Sequence, residues 1–180
     1  FSICPAIAAT APTRIVVGYA AINGRVSPMW IASEKGFLAK YGLQAEQVYV
    51  RGAPLLVAGM ASGDIQFTRS GGSATLAAVG AGHDFKIVAT FSSRNTYDLI
   101  ARPNIKRPED LRGKRIALIS IGGTSWMGVQ FWLEHFGLDP QRDQIHMQVL
   151  GDQAVQMQAV ESGVADAAAL DGVYSKNLRQ

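Results

Sequence analysis

Phe37-Leu38-Ala39-Lys40-Tyr41-Gly42-Leu43 recurs ninety-five positions later as Trp132-Leu133-Glu134-His135-Phe136-Gly137-Leu138. Ala61-Ser62-Gly63 recurs one hundred positions later as Glu161-Ser162-Gly163. In each copy a helix is expected to end at aromatic-Gly-Leu, a strand to follow, and the next helix to end at Ser-Gly, because glycine suits the left-handed residue that stops a helix. Two such matches in the same order, at nearly constant offset, predict two related α/β lobes meeting near residues 92–96. A single sheet whose units share only their cap chemistry is the alternative.

Outward from the repeat, strands and helices alternate. Arg14 to Ala20 is a continuous apolar, β-branched run, as expected of a strand buried on both faces. Ser27 is placed to cap a helix with Pro28 in its first turn, an apolar side at Trp30, Ile31, Phe37, Leu38 and Tyr41, and a stop at Gly42. Strands are expected at Gln47 to Val50, Asp64 to Thr68 and Phe85 to Phe91. Helices are expected from Pro54 to Ser62 and from Ala74 to Val79. In the second half, Tyr97 to Ala101, Lys114 to Ile119, Ile145 to Val149 and Ala165 to Leu170 read as strands. Gly122-Gly123-Thr124-Ser125 introduces a helix with apolar positions Trp126, Val129, Leu133 and Phe136, and Asp152 is placed to cap another. This alternation predicts α/β architecture with mainly parallel sheets.

Composition narrows the function. Of 180 residues, 48% are hydrophobic and 17% charged, which excludes a disordered tail or a charged coiled coil. Seventeen Lys and Arg against fourteen Asp and Glu leave +3, without a basic run, so nucleic acid is not an expected partner. A single cysteine, Cys4, excludes an internal disulfide and a cysteine zinc cage. Residues 1–12 (FSICPAIAATAP) read as the remnant of a secretory signal, and Ile3 before Cys4 argues against a lipid anchor. An exported, periplasmic protein is the expectation.

The repeat also carries a resemblance. EKGFLAKYGL (Glu34 to Leu43), MASGDIQF (Met60 to Phe67), PEDLRGKRIAL (Pro108 to Leu118) followed by GGTS, and VESGVADAAAL (Val160 to Leu170) together resemble the nitrate/sulfonate/taurine-type periplasmic substrate-binding proteins of ABC importers. The resemblance implies a type II periplasmic binding protein, or Venus flytrap, with lobe 1 at 13–93 and lobe 2 at 94–180. It implies a monomer that closes on a small anionic or zwitterionic solute (sulfonate, taurine, nitrate or similar) and delivers it to a membrane permease. Family members return from the second lobe to the first, and that return is missing here, which reads as a truncation at the C-terminus. The wider fold also serves LysR-type effector domains and an enzyme of thiamine-pyrimidine-precursor synthesis, and these are the alternatives.

In open α/β sheets ligands bind beyond the carboxyl ends of the strands, where helix N-termini offer unpaired N–H groups and partial positive charge. The residues at those points are Asn23, Ser27 and Trp30 at the first helix and Gly52 and Ala53 at the second. Ser70, Gly71, Gly72 and Ser73 open the third, and Gly123, Thr124 and Ser125 the main helix of the second lobe. Asp171, just past the last strand, is a candidate for a ligand amino group. Ser27 and Asp152 have a plain capping role as their ordinary reading. Arg51 and Arg69 stand at strand ends, where a cation can pair with an anion, although a solvated surface role is commoner. No nucleophile elbow, HExxH motif or cysteine beside a base is present, so no catalytic residue, metal site or cofactor is expected.

Overall fold

The computed structural model describes residues 11–178. Cys4 and residues 1–10 of the expected leader lie outside them. Three parallel strands, β1 (Thr13–Tyr19), β2 (Leu43–Tyr49) and β3 (Phe67–Arg69), form a first sheet in the order β2-β1-β3. Its helices are α1 (Ser27–Glu34), α2 (Ala53–Ser62) and α3 (Gly72–Gly80). The second sheet contains β4 (Tyr97–Ala101), β5 (Arg115–Leu118), β6 (His146–Val149) and β7 (Ala167–Asp171), ordered β4-β7-β5-β6. Within it β5 is parallel to β6 and β7, whereas β4 is antiparallel to β7. Helices α4 (Thr124–His135), α5 (Gln153–Ser162) and α6 (Gly172–Leu178) complete this lobe.

The two halves repeat in space as in sequence: β2-β1-β3 has the same order as β6-β5-β7. The quoted stops have matching geometry. Gly42 and Gly137 take φ of +69° and +68°, and Gly63 and Gly163 take +86° and +79°. Leu43 N donates to Leu38 O at 3.1 Å and Leu138 N to Leu133 O at 2.8 Å, the six-to-one bond that closes a helix C-terminus. Likewise Ile65 N donates to Gly59 O and Ala165 N to Ala159 O, at 3.0 and 2.9 Å. The single-sheet alternative is thereby set aside.

Burial differs between the lobes. Along β5 and β7 the side chains alternate between two cores, as a pleated strand requires. Ile116, Leu118, Ala167 and Ala169 face Val129, Leu133, Leu138 and Ile145, while Ala117, Ala168 and Leu170 face Ala159, Val160 and Ala165. In the first lobe Leu56 and Ile65 are buried against β1, where a methyl on Gly18 would overlap Leu56, so glycine is needed for the close approach of α2. Leu55, Phe67, Leu76, Val79, Ile87, Val88 and Phe91 are all exposed.

Several sequence expectations are corrected. Helix α1 stops at Glu34, eight residues before Gly42, because Gly36 at φ +67° breaks it; a 3-10 turn at Ala39–Tyr41 carries the chain to Gly42. Ser27 is the first residue of α1 rather than its cap, and its Oγ donates to Gly24 O at 2.7 Å. Asp152 sits at the cap position of α5 but its side chain makes no capping bond, having a stronger partner in Tyr49. Strand β2 begins four residues early, and β3 spans only three residues. No strand forms at Phe85 to Phe91: the apolar run is there, but a strand needs a paired neighbour and, among the described residues, it has none.

Candidate functional site

A small crevice opens where the carboxyl ends of β1, β3 and β5 meet across the two lobes. Its walls are Ala20, Asn23 and Arg25 after β1; Arg69, Ser70 and Gly71 after β3; and Ile119, Ser120 and Gly123 to Ser125 after β5, with Ala53 and Tyr97 closing the ends. Its volume is about 40 Å³. At about 10–15 Å³ of such volume per water, it takes roughly three waters, the size of a compact head group.

Two arginines give the crevice its charge. Asn23 Oδ1 accepts from Arg25 N at 3.1 Å and so caps the 3-10 turn Gly24–Val26, which presents Arg25. The Arg25 guanidinium lies 5.1 Å from the centroid of the Tyr97 ring. From β3, Arg69 reaches back and its Nη2 donates to Arg25 O at 2.9 Å, while its Cζ lies 5.9 Å from the Phe91 ring centroid. Burial, and then the nearby Arg25 charge, pull the Arg69 guanidinium below its ordinary pKa. Burial pushes the Tyr97 phenol up against the opposing pull of Arg25, so the phenol keeps its proton. Among the described residues, no carboxylate lies within ion-pair distance of either arginine.

Uncapped helix starts add to the field. The N-caps of α2, α3 and α4 are Gly52, Gly71 and Gly123, and none makes a side-chain cap bond. The first backbone bond of α4 is Met127 N to Gly123 O, which leaves the N–H groups of residues 124–126 without helical acceptors. Ser125 Oγ instead accepts from Ile119 N at 3.4 Å, which fixes the strand-to-helix turn. The arrangement is donor-rich and cationic, with neither a nucleophile and base pair nor, among the described residues, a cluster of three metal-binding side chains.

Of the thirteen residues singled out from sequence, seven line this crevice: Asn23, Ala53, Ser70, Gly71, Gly123, Thr124 and Ser125. Six do not. Ser27 bonds to Gly24, and Trp30 packs edge-on against Tyr19 at 5.9 Å. A Cβ on Gly52 would lie 3.1 Å from Ser120 Cβ, so Gly52 shapes the join rather than the crevice. Gly72 and Ser73 turn toward a larger neighbouring trough, Ser73 Oγ donating to Gly122 O at 3.0 Å across the lobes. Asp171 is buried: its N–H donates to Gln153 Oε1 at 2.7 Å, and its Oδ2 accepts from Gln153 Nε2 at 3.1 Å. Sequence reasoning missed Arg25 and Tyr97 and gave Arg69 its weaker reading. The strand-end rule would have reached Arg25, six residues past β1. Tyr97 starts an antiparallel strand, so it lies beside the carboxyl end of β7, where the rule for parallel strands does not look.

The comparisons with known proteins bear on the fold and the family. A candidate binding protein of Brucella abortus (strain 2308) is 34% identical over 115 residues, 63% of this chain and 35% of that protein. A Bordetella bronchiseptica RB50 structure superposes with TM-score 0.82 at 21% identity, over 94% of this chain and 54% of that one. The alkanesulfonate-binding protein SsuA from Xanthomonas axonopodis pv. citri, solved bound to MOPS, gives TM-score 0.76 at 23% identity, over 95% and 58%. The chain thus spans about a third of the curated relative's length and little more than half of these solved chains. Its fold is the α/β periplasmic binding protein fold with mainly parallel sheets. The family pattern described as NMT1/THI5 like matches residues 23–177, so the chain belongs to the NMT1/THI5-like family.

Proposed function

We propose that this chain is the solute-binding part of a receptor for an ABC-type importer, taking a small anionic solute between its two lobes for delivery to a membrane permease. The observation that carries the reading is the convergence of Arg25 and Arg69, two cations without a carboxylate among the described residues, on a crevice ringed by glycine-capped helix starts. Two like charges in a small, partly buried space repel each other, and an oxyanion reverses that term while accepting charge-assisted hydrogen bonds from both. The crevice volume suits a sulfonate, nitrate or similar head group. That SsuA is named an alkanesulfonate-binding protein supports the same class. Export to the periplasm belongs to this reading, and among the described residues no helix is long and apolar enough to cross a membrane.

The receptor reading needs binding without turnover. Each lobe contributes crevice residues, so a bound solute shifts an open–closed equilibrium toward closed. Calorimetric titration of methanesulfonate, taurine, nitrate and methylphosphonate against the uncharged isostere dimethyl sulfone tests it. Saturable, stoichiometric binding of at least one anion and none of the sulfone is expected. Equal affinity for the sulfone, or chemical conversion of a bound anion, would contradict the reading.

A further inference from the structure

One buried charge has no place in the crevice walls. Asp171, the last residue of β7, is 5% exposed. Its Oδ2 accepts from Gln153 Nε2 at 3.1 Å, and its N–H donates to Gln153 Oε1 at 2.7 Å. The other carboxylate oxygen, Oδ1, is buried and, among the described residues, has no hydrogen-bond partner. A buried carboxylate oxygen without a donor is costly. Asparagine in the same place would keep the bond to Gln153 without the charge, so the charge needs a reason outside its own hydrogen bonds.

The strand pairing supplies one. Tyr97 and Asp171 are the first directly opposed pair of the antiparallel β4–β7 ladder, so their side chains stand on one face, about 5 Å apart at Cβ. It is the face on which Leu99, Ala101, Ala167 and Ala169 pack. Tyr97 closes one end of the crevice, and the Arg25 guanidinium lies 5.1 Å from its ring centroid. A single aromatic side chain thus links Asp171 to the crevice cations. The phenol responds to all of them: burial raises its pKa most, Arg25 pulls it down, Asp171 pushes it up, and Arg69 pulls it down again. Asp98, next along β4, falls on the opposite face, where Ser175 Oγ donates to its Oδ2 at 2.6 Å.

Resting on the receptor reading above, we propose that Asp171 sets the charge class of the solute. Two arginines and one buried carboxylate leave a formal +1, which a singly charged oxyanion neutralises and a dianion reverses. The site therefore takes a sulfonate or nitrate in preference to sulfate, even though methanesulfonate and sulfate are tetrahedral ions of nearly the same size. Among the described residues Asp171 is in ion-pair contact with neither arginine, so it lowers the charge of the crevice without occupying the donors that the solute needs.

Titration calorimetry at pH 7 and fixed ionic strength tests this with methanesulfonate and nitrate, each singly charged, against sulfate. At roughly 10 Å and an effective dielectric near ~20, one buried charge changes affinity about tenfold for each unit of solute charge. The wild type is expected to bind methanesulfonate at least about tenfold more tightly than sulfate, and Asp171→Asn to raise the sulfate-to-methanesulfonate affinity ratio about tenfold. Asp171→Ser, smaller and equally neutral, gives the same reading should the asparagine variant not fold. A merely structural Asp171 would weaken all three anions together, and an unchanged ratio in a folded neutral variant overturns the proposal. So does a wild type that binds sulfate as tightly as methanesulfonate, which leaves the receptor reading intact. A wild type that binds none of the three also overturns it, and the four-solute titration above then decides the receptor reading separately.

Discussion

The Tyr49 hydroxyl at the end of β2 donates to Asp152 Oδ1 at 2.5 Å, joining the first lobe to the start of α5 in the second across 103 positions of sequence. Arg51 Nη2 stands 3.9 Å from the other carboxylate oxygen. Together with the Ser73 to Gly122 bond, these contacts hold the lobes against each other beside the crevice. They bridge the lobes outside the two core clusters, so under the receptor reading proposed above their loss is expected to alter binding more than folding.

Tyr49→Phe deletes the hydroxyl and little else. A hydrogen bond to a charged group that is partly exposed is worth about 1.5 kcal/mol, so solute affinity is expected to fall about tenfold by calorimetry, with the melting temperature nearly unchanged. Burial, and then Asp152, hold the Tyr49 phenol above its ordinary pKa. A raised value means that this contribution is complete below about pH 10 and is lost as the pH rises through the folded-state value. Affinity is therefore expected to drop in the alkaline range, and in Tyr49→Phe that step is expected to be absent.

Arg25→Ala and Arg69→Ala each remove one of the two crevice cations. Each is expected to weaken oxyanion binding by at least about tenfold, the worth of one charge-assisted bond. Arg69→Lys is expected to rescue poorly, because a single ammonium cannot both donate to Arg25 O and face the crevice as the guanidinium fork does. Titration of the three variants with methanesulfonate checks the order.

Gly71→Ala tests how closely the lobes meet. A methyl at Gly71 would overlap the Thr124 side chain, which belongs to the other lobe. The lobes are expected to part, raising the radius of gyration in small-angle scattering with solute present and weakening binding about tenfold or more. Gly72→Ala, with open space around its added methyl, is the control and is expected to leave both unchanged.

Acid is expected to unfold the second lobe first. Asp166 accepts from Arg115 N and Nε, both at 2.9 Å, and the Arg115 side-chain bond holds its carboxyl below the ordinary range. Because the folded-state value is depressed, this contribution is complete above the unfolded pKa near about 3.9 and is lost as the pH falls through the folded one. Circular dichroism between pH 7 and pH 2 is expected to show wild-type stability falling below about pH 4. Asp166→Asn is expected to be less stable at pH 7 and flatter through that window.

The two lobes were legible because Gly42 and Gly137 write their backbone conformation directly into the sequence: at φ near +69° any other residue is strained whatever the space around it. Either glycine changed to alanine is expected to cost about 1 kcal/mol in chemical denaturation. β5 and β7 were legible because small, apolar residues without interruption mean burial on both faces. What failed was whatever depends on a distant partner. Phe85 to Phe91 has strand composition but no neighbour, and Asp152 looks like a cap until Tyr49 arrives from 103 positions away. Arg25 is an ordinary cation in its own stretch. The role proposed for it comes from Tyr97 and Arg69, which only the fold brings to it.

The central claim is that Arg25 and Arg69 together hold an oxyanion, and thermal unfolding of the wild type and the Arg25→Ala/Arg69→Ala double variant tests it most directly. Methanesulfonate is added against equal ionic strength of sodium chloride. A ligand that binds only the folded chain adds about 2.7 kcal/mol at one hundred times its dissociation constant, a shift of several degrees. The account predicts a saturable rise in the wild type that disappears in the double variant. A rise of the same size in both would place the anion elsewhere and contradict it.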